Sequence, residues 1–216
     1  TEVFAFLIHS GAGGLSLQSA AIAVHPYTFS PSASTKACNY CLEAVGPMIT
    51  NSPVFWNGSL YFAYGVGVTE RKTLKPAVRW SQLTPSFSGG ALSGGGLTQS
   101  DTINPPGTIG AFFPAWMTDA MGNFFVLFDA SGPSLNPGIY VAARRPSDPA
   151  NTMTTVRRLV RGRAAPEGDF PSASYRYTAY GDFSGASFDP QTGVWLASQY
   201  GKTVAKYGTL VANVRL

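Results

Sequence analysis

The chain has 216 residues, a net charge of +4, 44% apolar residues and only 12% charged residues, about half the roughly 25% charge content usual in soluble domains. A core can form. With 24 glycines and 16 prolines, the composition excludes a coiled coil and a helical bundle, and no apolar stretch is long enough for a membrane-spanning helix. It favours a β protein with many turns.

In chain order, the first predicted elements are two strands at 3–8 and 15–23, joined by a Gly-rich loop. The segment 25–50 is rich in Pro and Ser and carries the only cysteines, Cys38 and Cys41. A haem-attachment motif needs His after the second Cys, where Leu42 stands. A structural zinc needs two more ligands, and His9 and His25, the only histidines, lack the usual spacing. A thioredoxin-type site needs a βαβ context. The preferred reading is a short-loop disulfide, Cys38 to Cys41, in an exported protein.

Three segments then repeat a strand–turn–strand pattern: 52–56 with 60–64 around Asn57-Gly58, 113–117 with 124–128 around 119–123, and 184–188 with 194–198 around 189–193. Each turn pairs Asn or Asp with Gly, the residues that accept the positive φ of a tight hairpin. Asn57-Gly58-Ser59 also fits a glycosylation sequon, but the turn reading is preferred. A third strand follows each hairpin at 77–83, 138–144 and 208–216, and a weaker fourth at 92–99 and 156–160. The connecting segments at 25–50, 85–111 and 161–181 are long, and Gly94-Gly95-Gly96 reads as flexible loop.

Four antiparallel strands per unit, repeated along the chain, read as propeller blades. The expected fold is all-β: a partial β-propeller of about three four-stranded blades, incomplete at both ends. Residues 1–24 would end one blade, 51–100 and 111–163 would form two more, and 180–216 would form a last, incomplete one. Closed propellers typically need four to eight blades. The rest of the ring is therefore expected from a missing segment, a cleaved companion or a second copy. The start at Thr1 rather than Met reads as trimming, processing or excerpting.

Six arginines, Arg144, Arg145, Arg157, Arg158, Arg161 and Arg163, fall within 20 residues where Asp148 is the only acid. They form a candidate ligand-binding patch for a surface glycan or an acidic protein. The competing reading is a solvated strand edge guarded by charge. No aromatic stacking motif is interleaved with them, which argues against nucleic acid.

The run Tyr180-Gly-Asp182-Phe-Ser-Gly185, with Arg176 upstream and Phe188-Asp-Pro190 and Val194-Trp-Leu196 downstream, resembles a motif of secreted bacterial sialidase-like β-propellers. The Asn57-Gly-Ser-Leu60 hairpin, Ala77-Val-Arg-Trp80 and Phe113-Pro-Ala are similar to preceding blades of that group. Ser187 to Trp195 is similar to the Asp-box of sialidases with two extra residues before Gly193. In that motif the residues fold the hairpin. The resemblance covers most of 3–216 and implies the C-terminal half of a secreted, extracellular or periplasmic propeller.

A glycosidase needs two carboxyls flanking the bond. Asp182, Arg176 and Tyr180 are the candidate catalytic residues, with Arg79, Tyr177 and Glu167 fitting further roles by residue type alone. A three-arginine clamp cannot be placed. The competing role for Asp182 is capping backbone N–H groups or pairing with Arg176. No G-x-S-x-G, Walker A or H-E-x-x-H motif occurs. No cofactor is called for; calcium is left open at the acidic turns, although Asp119, Asp182 and Asp189 form no D-x-D cluster. The expected function is a non-catalytic extracellular binding or structural module, with a sialidase-like glycoside hydrolase or a glycan-binding propeller as the alternative.

Overall fold

The computed structural model describes all residues except 12, 13, 154, 155, 166–169, 173, 174, 178, 179, 181–183 and 205; for 11, 170–172 and 175–177 the backbone alone is described. The described residues contain strands and no helix. All pairings between strands are antiparallel.

The first sheet is a hairpin of β1 (Glu2–Gly11) and β2 (Gly14–Ala23). The second holds β3 (Val54–Trp56), β4 (Ser59–Glu70), β5 (Thr73–Ser88) and β6 (Ala91–Ile103) in sequential order. The third holds β7 (Gly110–Thr118), β8 (Phe124–Gly132), β9 (Leu135–Arg144) and β10 (Arg157–Val160), again in order. A small hairpin of β11 (Phe170–Ser172) and β12 (Tyr175–Tyr177) comes next. The last sheet is β13 (Gly185–Asp189), β14 (Gly193–Thr203) and β15 (Lys206–Val214). The strands expected from the sequence are all present, and β11–β12 is an addition that its short length concealed.

The turn residues explain the hairpins. Asn57 (φ 44°) and Gly58 (φ 78°) both take positive φ, as the two-residue turn between β3 and β4 requires. Between β7 and β8, Asp119 Oδ1 accepts hydrogen bonds from the N–H groups of Met121 and Asn123, both at 2.9 Å, and Oδ2 accepts one from Asn123 Nδ2 at 2.7 Å. Between β13 and β14, Asp189 accepts from Gln191 N (2.9 Å) and the Thr192 hydroxyl, and Thr192 in turn accepts from Trp195 Nε1 at 2.8 Å. The Asp-box-like residues thus fold a turn. These bonds hold the Asp189 carboxyl below the usual range.

The sheets pack face against face. β7 lies against β4 and β5, β13 and β14 lie against β7, and β14 also packs on β8 and β9. Phe124 sits between Tyr61 and Trp80, with ring centroids 5.2 and 5.9 Å away. Such tilted aromatic pairs add to area burial. Every residue of β8 is buried, because both of its faces are covered.

Two expectations change. Gly94, Gly95 and Gly96 belong to β6, opposite Ser86, Pro85 and Thr84, and are not a flexible loop. The expected connection over 85–111 is correspondingly short, because β5 and β6 extend into it. A Cβ on Gly95 would stand 2.6 Å from Ile22 Cδ1, so the missing side chain lets β2 approach β6. Gln18 Oε1 accepts a hydrogen bond from Leu92 N at 2.7 Å across the same junction.

Segment 25–50 is irregular but anchored, by bridges Thr28↔Gly67 and Ala33↔Leu42. Cys38 and Cys41 form a disulfide, with Cα atoms 5.9 Å apart. Thr35 Oγ1 accepts from Ala37 N (3.1 Å) and Cys38 N (3.3 Å), closing the loop around the bond. Ala33, Leu42 and Ala44 then pack with Phe112, Phe113 and Tyr180 in a separate small core. A register shift in β7, with Phe113 at φ 51°, accompanies that contact.

Candidate functional site

Three features with chemical potential emerge: a buried polar cluster, an arginine-lined cleft and an exposed apolar sheet face. The first contains Tyr180. Its side chain is fully buried, and its hydroxyl donates to Gln199 O at 2.8 Å. Beside it lies Asp129 on β8, also fully buried. Asp129 Oδ1 accepts from Ser198 Oγ at 3.0 Å, and Ser198 Oγ is 2.9 Å from Ser184 Oγ. The other carboxyl oxygen, Oδ2, has no hydrogen-bond partner among the described residues.

Desolvation pushes the Asp129 carboxyl well above its ordinary pKa, against the opposing pull of Ser198 and Tyr180. Burial and the neighbouring Asp129 push the Tyr180 hydroxyl up as well. The protonated acid is the form suited to this place, since it leaves no buried charge unpaired. The cluster ties β8 to β14 and to the segment before β13. With both groups closed to solvent, it can pin sheets together but offers a substrate no access. Asp129 went unnoticed in the sequence, although an Asp directly after the apolar run 124–128 is the signal of a buried acid.

Of the other residues put forward as catalytic, Asp182 and Glu167 lie outside the described residues, and Arg176 and Tyr177 are placed on β12 by backbone alone. Arg79 is engaged in structure: Nη1 donates to Pro26 O at 2.8 Å and His25 O at 3.2 Å, and Nε to Thr102 Oγ1 at 3.2 Å. Among the described residues, no three His, Cys, Asp or Glu side chains are grouped to hold a metal ion.

The arginine patch divides. Arg144 is only 4% exposed, which removes it from the surface patch expected of it. Its Nε donates to Thr152 O and its Nη2 to Asp148 O, both at 3.1 Å, and its guanidinium lies 5.5 Å from the Trp80 ring centroid. Burial lowers its pKa. Arg144 thus holds the 145–152 turn onto the core. Arg145, Arg157, Arg158, Arg161 and Arg163 are exposed. Arg145 and Arg157 line one cleft of about 530 Å³, together with Arg215. Arg215 was missed because it lies far from the others in sequence.

The third feature is the outer face of the first hairpin. Residues opposed across an antiparallel pair share a face, and the register Ile8↔Leu17, Phe6↔Ser19, Phe4↔Ala21 and Ser10↔Leu15 groups five large apolar side chains. Phe4, Phe6, Ile8, Leu15 and Leu17 are 60–79% exposed. On the opposite face Ala5 and Ile22 are buried and Val3, Leu7, Gln18 and Ala20 are half-buried.

No family model matches the chain, and no curated protein sequence matches it. A solved structure of a Dyadobacter fermentans protein of unknown function is similar over 96% of this chain, with 12% identity and a TM-score of 0.48. The chain spans 48% of that protein's length.

Proposed function

We propose that the chain is part of a β-propeller and acts as a non-catalytic extracellular binding or structural module within a larger assembly. The observation that carries this reading is the exposed apolar face of β1–β2. At on the order of 100 Å² per large side chain, five such residues reach about 500 Å², the upper end of what monomers expose and typical of an interaction site. The face is a pleated two-stranded surface with one side already packed on β6, so the partner that fits it is another apolar sheet.

Support for the propeller comes from the sequential order of strands in β3–β6, β7–β10 and β13–β15, and from the face-to-face packing of these sheets. The disulfide is compatible with an extracellular location, and no helix among the described residues is long and apolar enough to cross a membrane. The glycosidase alternative draws no support from Asp129 and Tyr180, which no sugar can reach.

Sedimentation analysis tests the reading. The expected result is a species larger than 22.8 kDa that Phe6→Asp shifts towards the monomer. A stable monomer whose hairpin face takes up no hydrophobic dye overturns it.

A further inference from the structure

The cleft containing Arg145, Arg157 and Arg215 opens between the β9–β10 edge and the end of β15. Its floor is apolar: Phe125 on β8 and Val141 and Ala143 on β9 are 2–7% exposed. Leu159 continues that floor on β10, where a register irregularity between Arg158 and Val160 leaves it lining the same cleft as Arg157. Among the described residues, no Asp or Glu lines the cleft. The nearest acid in sequence, Asp148, accepts a hydrogen bond from Arg145 N at 2.7 Å. Arg215 is held in place, its Nε donating to Thr192 O at 2.8 Å and to Asn213 Oδ1 at 3.3 Å.

Arg145, Arg157 and Arg215 therefore line one concavity together with Leu216, and no Asp or Glu side chain faces them among the described residues. Like charges brought together repel, and an anion placed between them relieves that repulsion through charge-assisted hydrogen bonds. The floor asks for something different, an apolar body that displaces water from Phe125, Val141 and Leu159. The cleft volume, about 530 Å³, is that of a small-molecule site.

We propose that this cleft binds a small amphiphilic organic anion, with its charged group held by Arg145, Arg157 and Arg215 and its apolar body on the Phe125–Val141–Leu159 floor. None of its lining residues belongs to the β1–β2 face that carries the ring-assembly reading. It also separates the arginines by role: Arg157 faces the cleft, whereas Arg158, its neighbour on β10, does not line it.

The test uses octanoate as the probe, with octylammonium and octanol as comparisons of the same length. For the measurement a short Gly-Ser segment is added after Leu216, which lines the cleft, so that a carboxylate at that position does not compete with the probe. Calorimetry is expected to show octanoate binding at least about tenfold tighter than either comparison, weakening several-fold between 0.05 and 0.5 M salt. Methyl NMR signals of Val141 and Leu159 should shift on binding. Arg157→Glu is expected to weaken binding by about tenfold or more, and Leu159→Trp to block it by filling the floor with the arginines intact. Arg158→Glu, which changes net charge equally, should leave affinity within about twofold. Equal affinity for octanol or octylammonium overturns the proposal. So does an equal loss in Arg158→Glu, or the absence of methyl shifts at the floor.

Discussion

The β1–β2 hairpin and the β7–β8 pair are built from similar residues and end in opposite environments. In β8 the run Phe-Phe-Val-Leu-Phe is buried throughout. In β1, Phe4, Phe6 and Ile8 alternate just as regularly, yet stand 60–71% exposed. Local sequence does not account for the contrast. β8 has a sheet on either side, whereas β1–β2 packs on β6 and, among the described residues, keeps Phe4, Phe6, Ile8, Leu15 and Leu17 exposed on its other face. An apolar strand thus reports that a face is to be covered, and the packing of whole sheets decides what covers it.

Breaking a doubly covered position should have the largest effect. Phe124→Ala removes a ring wedged between Tyr61 and Trp80 and is expected to cost about 3–5 kcal/mol in denaturant unfolding. The loop disulfide comes next. Replacing Cys38 and Cys41 together by Ser releases a very short closed loop, for which chain entropy gives a loss of about 2 kcal/mol. Thermal unfolding with and without reductant measures it.

Asp129→Asn probes the junction of β8 and β14. Because the folded carboxyl binds its proton more tightly than the unfolded one, its contribution is present in full at low pH. It fades as pH rises above the ordinary aspartate value of 3.8 towards the raised folded value. The amide keeps a neutral group of the same shape. The variant is therefore expected to lose this decline with pH and to exceed the parent in stability at neutral pH. A parent whose stability rises over that range through the action of Asp129 would contradict the neutral carboxyl.

The smallest effect on folding is expected on the naked face. Phe6→Ser should change unfolding free energy by no more than about 0.5 kcal/mol, while lowering dye uptake and self-association. A large destabilisation there would mean that the hairpin face is covered within the chain.

How far the sequence could be read follows from which forces are local. Asn57-Gly58, Asp119 to Asn123 and Asp189 to Gly193 announce hairpins because positive φ and side-chain capping are properties of a few adjacent residues. The short disulfide is legible for the same reason. Gly94 to Gly96 misled, since glycine signals flexibility in isolation but close approach when Ile22 packs over it. The basic cluster misled in part: Arg144 and Arg145 are neighbours in sequence, but the pleat sends one under Trp80 and the other towards the cleft.

Strand positions, turn chemistry, the repeated strand order and the cysteine pair were thus determined by the sequence itself, through alternation and local backbone preference. Only the tertiary structure decided that Asp129 meets Tyr180 and Ser198, that Arg215 joins Arg145 and Arg157, and that the first hairpin keeps one apolar face bare. Those outcomes depend on which sheets come to lie against one another, and contacts between residues distant in the chain leave no signature in the order of the residues that make them.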